Sequence, residues 1–357
     1  MSMAIDSLLC PSVYPRLMAR RWPGHVVELL NGVGLTVEDL SRLQAVTVGQ
    51  QIQMLENAQK FSENPNWALE LGLELGINSH GPLGFAALSA KTLADGLDVF
   101  AQFMKTRAPY VMMHCITTER ELSVVFDTSI FDLNHLEIPM VEILTQVLSS
   151  YIHAVIGDSP AGMSYSFHHS GDGGYKERYA KFFKAPCSFD RENNAISLPS
   201  KYAGYEIPTH DESTFHGAII KCREALDTLT ASGDIVTRVR YLLVSHFDHV
   251  AAGQGDATLL RLEKIADTLC LTPRTLIRQL ATRGLRFSDL RSGIQSDIAK
   301  KLLNDGTRNI SEIADILGYG STANFSRAFR NLTGLSPSEY KHRPASGVRN
   351  VISSLGD

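Results

Sequence analysis

Apolar positions along this chain follow a helical period over most of its length and alternate in only a few places. Up to about Gly76 the spacing is mostly helical, with Val26, Leu29 and Leu30 recurring at three and four, and Leu69, Leu73 and Gly76 likewise. Gly81-Pro82-Leu83-Gly84-Phe85 punctuates the pattern, and Thr92 to Met104 is helical again. Alternation at Val111–Cys115 and Leu122–Phe126 predicts two paired strands around the polar turn Thr117–Glu121. A helix over Pro139–Ile156 follows, then a strand at Ser164–His168, a turn at Gly171-Asp172-Gly173-Gly174, a helix over 175–185 and a short strand at Ala195–Leu198. A helix around Thr214–Thr228 runs into Ala231-Ser232-Gly233, which reads as a linker. Residues 1–231 therefore predict one α+β domain.

Beyond Gly233 the pattern is all-helical. Asp234 is placed to cap a helix reaching about Phe247 and burying Val236, Val239 and Leu243, with a Gly-rich loop, Ala251–Asp256, after it. A weak duplication then begins. In the first copy Leu262, Ile265, Ala266 and Leu269 share one helical face, and a three-residue turn leads to Thr272 as cap and Pro273 at the first helical position. Leu276 and Leu280 anchor that second helix, which leaves Arg274, Thr275 and Arg278 facing outward. In the second copy Ile310, Ile313, Ala314 and Leu317 repeat the face, Gly318 supplies the turn and Ser321 the cap. Phe325 and Phe329 form the anchor, and Thr322, Asn324 and Arg327 face outward. Between the copies Ser288–Asn304 is one helical pattern of 17 residues, about 25 Å long at 1.5 Å per residue.

Two helix-turn-helix units with outward polar faces match the chemistry of the DNA major groove. Arg pairs bidentately with guanine, Asn with adenine, and Thr or Ile meets the thymine methyl. A recognition helix enters the groove by its N-terminal half. The expected base-reading residues are Arg274, Thr275, Ile277 and Arg278 in the first unit and Thr322, Ala323, Asn324 and Arg327 in the second. Arg283, Arg286, Arg330 and Lys341 are the expected phosphate contacts. The long helix spaces the two readers for successive groove turns ~34 Å apart, with DNA bending if needed.

The net charge of −4 over 357 residues speaks against a nucleic-acid binder only when the chain is averaged. Residues 1–231 carry 17 Lys/Arg against 26 Asp/Glu, and residues 232–357 carry 17 against 12. An acidic domain thus precedes a basic one. The five scattered cysteines form no Cys-x-x-Cys pair and read as buried reduced thiols. His168-His169 and His114-Cys115 lack ligand spacing, so no metal and no cofactor are expected. Gly171–Gly174 lacks the context of a dinucleotide loop, and no Gly-x-Ser-x-Gly elbow occurs. No run of ~18 apolar residues predicts a membrane span, and the N-terminus lacks the charge order of a secretion signal. A cytoplasmic protein that is not an enzyme is expected.

Phe325-Ser326-Arg327-Ala328-Phe329-Arg330 and Thr333-Gly334-Leu335-Ser336-Pro337-Ser338-Glu339-Tyr340 resemble the DNA-binding domain of AraC/XylS-type bacterial transcription regulators. The resemblance extends over residues 232–343 and leaves 344–357 as a flexible tail. It implies seven helices, two readers on one long helix and usually activation, with RNA polymerase as a partner. Ile277 departs from the polar residue often found at its position. Leu71–Gly84, Thr92–Leu97 and the stretch from Tyr175 to Pro199 resemble the arabinose-binding-type sensor domain of such regulators. That resemblance implies a small-molecule effector, whose site it does not locate, and a homodimer on double-stranded DNA. Val141–Ile156 and Thr214–Leu229 are the helices expected to dimerise. Two other readings of the first domain stand beside this one: dimerisation alone, or a response to a protein partner or cysteine oxidation. A DNA-repair alkyltransferase fused to the same kind of domain would need a zinc-binding cysteine cluster, which Cys10 alone cannot supply.

Overall fold

The computed structural model describes residues 7–128, 133–157, 160–231, 234–251, 261–305 and 308–342. The Ser232-Gly233 linker, the loop at 252–260 and the tail at 344–357 lie outside the described residues. The chain divides into two compact units, Met1–Leu242 and Leu243–Asp357.

The N-terminal unit holds helices α1 (Val13–Arg21), α2 (Val26–Leu29), α3 (Val37–Arg42), α4 (Val48–Phe61), α5 (Trp67–Glu74), α6 (Pro82–Ser89), α7 (Leu93–Phe103), α8 (Glu137–Ile156), α9 (Tyr175–Phe183) and α10 (Glu212–Ala231). Its strands are β1 (Leu9–Pro11), β2 (Ala45–Thr47), β3 (Met112–Thr117), β4 (Glu121–Asp127), β5 (Ser164–Ser166), β6 (Cys187–Ser188) and β7 (Asn194–Pro199). The five-stranded sheet runs β3-β4-β7-β5-β6, antiparallel except for the parallel pair β5–β6. Alternation predicts its centre: Val124 of β4 pairs with Cys115 on one side and Ile196 on the other, and all three are buried. The remaining two strands correct the helical reading of the first 76 residues. Leu9–Pro11 pairs antiparallel with Ala45–Thr47, in strands too short to show a period of two.

A second correction concerns α8. The helix is 20 residues long and apolar enough to span a membrane, but 78% of its apolar window is buried inside the protein. It is the central core helix of the unit and not the amphipathic dimerisation surface expected of Val141–Ile156. Neighbouring helices reach it closely because small residues face it. At Gly72 of α5 a Cβ would stand 2.7 Å from Gln146 Cβ and 2.8 Å from the Ile143 carbonyl. At Gly96 of α7 a Cβ would overlap the hydroxyl of Tyr151, which donates to the Ala87 carbonyl at 3.0 Å. The α7 start is a capping box in which Thr92 and Asp95 exchange hydrogen bonds. These packing and capping roles explain the motifs at Leu71–Gly84 and Thr92–Leu97.

Glu142 is the charged exception on α8. It accepts from Arg178 Nη2 at 2.6 Å and from the Tyr179 hydroxyl at 3.0 Å. Burial nevertheless outweighs both partners and raises its pKa to about 7. The folded chain therefore holds a proton that the unfolded chain releases near its ordinary value of 4.5. Stability from this group is present below pH 4.5 and falls as pH rises toward 7. Urea denaturation at pH 5 and pH 8 is expected to show that decline in the wild type and a smaller one in Glu142→Gln. Equal declines would contradict this assignment.

From Ile235 onward the described residues form seven helices: α11 (Ile235–Ala251), α12 (Leu262–Thr268), α13 (Pro273–Ala281), α14 (Phe287–Asp305), α15 (Ile310–Ile316), α16 (Thr322–Thr333) and α17 (Pro337–Lys341). Asp234 Oδ1 accepts from the Val236 amide at 2.9 Å, as its position before α11 predicts. Within α11 Val239 and Leu243 are buried, whereas Val236 is only half-buried. The contact division between the two units falls inside α11. The composition shift places it at 231/232.

Candidate nucleic-acid interface

The duplication seen in the apolar pattern is a duplication of backbone geometry. After α12 the Leu271 amide donates to the Ala266 carbonyl at 2.8 Å and the Cys270 amide to Asp267 at 3.0 Å. After α15 the Tyr319 amide donates to Ala314 at 2.9 Å and the Gly318 amide to Asp315 at 3.0 Å. Both turns need a left-handed residue, which is Cys270 at φ 54° in one copy and Gly318 at φ 71° in the other. Cys270 is exposed, and Cys187 is half-buried. Only Cys10, Cys115 and Cys222 are buried as expected of all five. Since a side chain at positive φ costs more than glycine's added chain entropy, Cys270→Gly is expected to stabilise the unit by about 0.5–1 kcal/mol. A lower urea midpoint in that variant would contradict the shared turn.

Each second helix starts from a side-chain cap. Thr272 accepts from the Thr275 amide at 3.2 Å with Pro273 at the first position, and Ser321 accepts from the Asn324 amide at 3.2 Å. Leu276 and Leu280 are buried beneath α13, and Phe325 and Phe329 beneath α16. The two Phe rings lie 5.7 Å apart, with Tyr319 5.5 Å from Phe325 and Tyr340 5.5 Å from Phe329. Gly334 ends α16 in the left-handed region at φ 79°, and Ser336 and Glu339 form the capping box of α17. The Phe-x-Arg-x-Phe and Gly-x-Ser-Pro-x-x-Tyr residues are thus the anchor, stop and restart of one packed corner. Gln295 of α14 ties the second unit to the long helix by donating to the Leu317 carbonyl at 2.7 Å. That helix has 19 residues, about 28 Å.

The expected reading residues emerge on the opposite faces. Arg274 and Arg278 are exposed on α13, and Ile277 is 52% exposed although apolar, as a thymine-methyl contact requires. Thr275 is half-buried and its hydroxyl lies 2.9 Å from that of Thr272, which ties it to the cap. On α16 Ala323, Asn324 and Arg327 are exposed and Thr322 is half-buried. Of the expected phosphate contacts, Arg283 and Arg286 are exposed after α13. Arg330 is exposed; the Glu339 pKa is lowered chiefly by its hydrogen bonds with Ser336, with a smaller contribution from the Arg330 charge. Lys341 is half-buried and donates to the Arg308 carbonyl at 2.9 Å.

Two families match the chain in the same order as these units. The one described as the arabinose-binding domain of AraC transcription regulators covers residues 25–206, half of the chain, and a helix-turn-helix domain covers 265–343. The chain belongs to the AraC family of transcription regulators. The ornithine utilization regulator of Pseudomonas aeruginosa is 27% identical over 300 residues, covering 82% of this chain and 83% of its own length. The regulator VirS of Mycobacterium tuberculosis is 26% identical over 302 residues, 81% of this chain and 82% of that protein. The crystal structure of the regulator CdpR from Pseudomonas aeruginosa covers 93% of this chain and 98% of its own at 20% identity, with a TM-score of 0.45. The AraC-family chain is a DNA-binding regulator and not an enzyme.

The N-terminal unit of this AraC-family chain holds a partly open cavity of about 30 Å³ between α1, α4, α5 and α8, walled by residues such as Leu55, Leu71, Ile143 and Leu144. Its polar side is ordered. The Tyr14 hydroxyl lies 2.6 Å from His80 Nδ1, and His80 Nε2 lies 3.1 Å from the Leu75 carbonyl. With a carbonyl on one nitrogen, Nε2 carries the proton and Nδ1 accepts from Tyr14. Burial first, and Arg107 second, lower the His80 pKa to about 4, so the ring is neutral. Gln51 Nε2 donates to the Tyr110 hydroxyl at 2.9 Å, and the Cys10 thiol donates to Gln51 Oε1 at 2.7 Å. Sequence reasoning missed this set. Its members stand on five separate segments, and no spacing joins them.

Proposed function

We propose that this regulator reads two adjacent major-groove segments of double-stranded DNA through the N-terminal halves of α13 and α16, under control of a small molecule bound by its N-terminal unit. The observation that carries the DNA reading is the repeated geometry: two capped helices, each anchored by a buried i,i+4 pair, each presenting exposed residues with base-pairing chemistry. Arg274, Thr275, Ile277, Arg278, Thr322, Ala323, Asn324 and Arg327 face bases. Arg283, Arg286, Arg330 and Lys341 serve phosphates, with Lys341 the weakest contributor because it is already engaged.

The cavity between α1, α4, α5 and α8 supports effector control over a purely structural N-terminal unit. Oxidative control through Cys10 or Cys222 is disfavoured by burial, which pushes the Cys10 thiol up to about 12 and Cys222 up to about 11. The effector acts by preferring one of two arrangements of the chain. Dimerisation is supported by α10, whose solvent face carries Ile220 at 56% exposure. Activation through RNA polymerase, and action in the cytoplasm, rest on family resemblance. The test is the affinity of the chain for a selected duplex between 50 and 200 mM salt. A steep log–log decline supports the charged interface, and a flat response contradicts it.

A further inference from the structure

We propose that Arg291, on the connecting helix α14, clamps a DNA phosphate between the two groove segments read by α13 and α16. This contact rests on the reading of DNA by both helices. The internal duplication carries on past the recognition helices: Gly284-Leu285-Arg286-Phe287-Ser288-Asp289-Leu290-Arg291 recurs as Gly334-Leu335-Ser336-Pro337-Ser338-Glu339-Tyr340-Lys341. The two stretches share backbone geometry as well as pattern. Gly284 and Gly334 stand in the left-handed region at φ 70° and 79°. The Leu290 amide donates to the Arg286 carbonyl at 3.1 Å, and the Tyr340 amide to the Ser336 carbonyl at 2.9 Å. Arg291 is thus the first copy's counterpart of Lys341.

The two basic side chains differ in what they already hold. Lys341 donates to the Arg308 carbonyl at 2.9 Å. Arg291 is half-buried and makes no hydrogen bond and no ion pair among the described residues. Its Nε is shut off from water without an acceptor. Other sheltered guanidiniums do find carboxylates: Arg21 pairs with Glu70 and Glu74, and Arg178 with Glu142. Asp289, two residues from Arg291, accepts from the Ser288 hydroxyl at 3.1 Å instead. A sheltered guanidinium without an acceptor is costly, and the oxygens of a phosphate fit its planar fork.

Three contacts fix where this charge stands. The guanidinium lies 5.8 Å from the ring centroid of Phe287, one turn earlier on α14. One turn later on the same face, Gln295 donates to the Leu317 carbonyl at 2.7 Å, so this face of α14 meets the turn between α15 and α16. Tyr319 lies in that turn; burial raises its pKa and the Arg291 charge opposes the rise. Ser321, the cap of α16, follows two residues on. Arg291 therefore stands beside the end of α16 that enters the groove, on the helix that leads back to the first reader. Its place on α14, beside Phe287 and Tyr319, keeps it off the recognition helix, so it positions the backbone and reads no base.

The experiment measures binding of the full chain to a selected duplex and to its scrambled version between 50 and 200 mM salt. Arg291→Gln is expected to weaken both duplexes alike, by about tenfold, and to make the log–log salt slope shallower by about 0.9, the share of one phosphate. Arg291→Lys keeps the charge and is expected to keep the wild-type slope, a rescue that a purely structural role would not produce. An unchanged slope in Arg291→Gln, or a loss confined to the selected duplex, overturns the proposal. If Arg291→Gln fails to fold, a phosphate scan with the wild type decides. Methylphosphonate replacing one phosphate at a time is expected to cost about tenfold at one position between the two boxes, and no loss at any position there overturns the proposal. The outcomes also separate this contact from the reading beneath it. Two selected boxes with an unchanged slope remove Arg291 from the interface and leave reading by both helices intact. One selected box with a shallower slope in Arg291→Gln removes the two-segment reading and leaves Arg291 on a phosphate.

Discussion

Alanine at both Arg278 and Arg327 is expected to lower affinity for the specific duplex by a hundredfold or more while changing nonspecific affinity only a few fold. A bidentate Arg–guanine pair is worth about 1–3 kcal/mol of discrimination, and the two residues stand on separate helices, so their losses add. Both side chains are exposed and neither is held by another side chain among the described residues. Their removal therefore costs the fold little. Competition binding against scrambled duplex, with circular dichroism as the folding control, measures the effect. Equal losses on specific and scrambled DNA would make both residues phosphate contacts instead.

The second large effect is on the fold. Gly84→Ala is expected to destabilise the N-terminal unit by about 3 kcal/mol, at the upper end of overpacking costs. A Cβ at this position overlaps the backbone carbonyl oxygen of Ile77, and a backbone atom cannot rotate away as a side chain does. Gly217 of α10 is the control, since a Cβ there meets nothing within 4 Å. Gly217→Ala is expected to be neutral or to stabilise by up to about 1 kcal/mol through helix propensity. A urea midpoint for Gly84→Ala matching that of Gly217→Ala would show that Ile77 moves aside freely.

The contrast between these two predictions follows what could be read along the chain. The DNA-binding half is legible because its determinants are local. Thr272 and Ser321 cap helices that begin one residue later, and Leu276/Leu280 and Phe325/Phe329 anchor at i,i+4. The exposed faces follow by subtraction. The N-terminal half is legible only in part. Strand β7 alternates over all six of its residues and β3 and β4 run to six and seven, but β1 and β2 have three each and look like the helices around them. The near-continuous apolar run of α8 shows that it is buried, not what covers it. The cavity is invisible in sequence, because Tyr14, Gln51, His80 and Tyr110 meet only through tertiary packing. Cys270 could not be distinguished from a buried thiol until its backbone was seen at positive φ.

The most direct test of DNA reading by two recognition helices is selection of bound duplexes from a random pool by the wild type, Arg278→Ala and Arg327→Ala. The expected wild-type site has two boxes with centres about 10–10.5 base pairs apart, one helical turn. Each variant is expected to lose preference at one guanine, and the two guanines are expected to lie in different boxes. A single box in the wild type, or loss at the same base pair in both variants, would contradict a protein that reads DNA with both units.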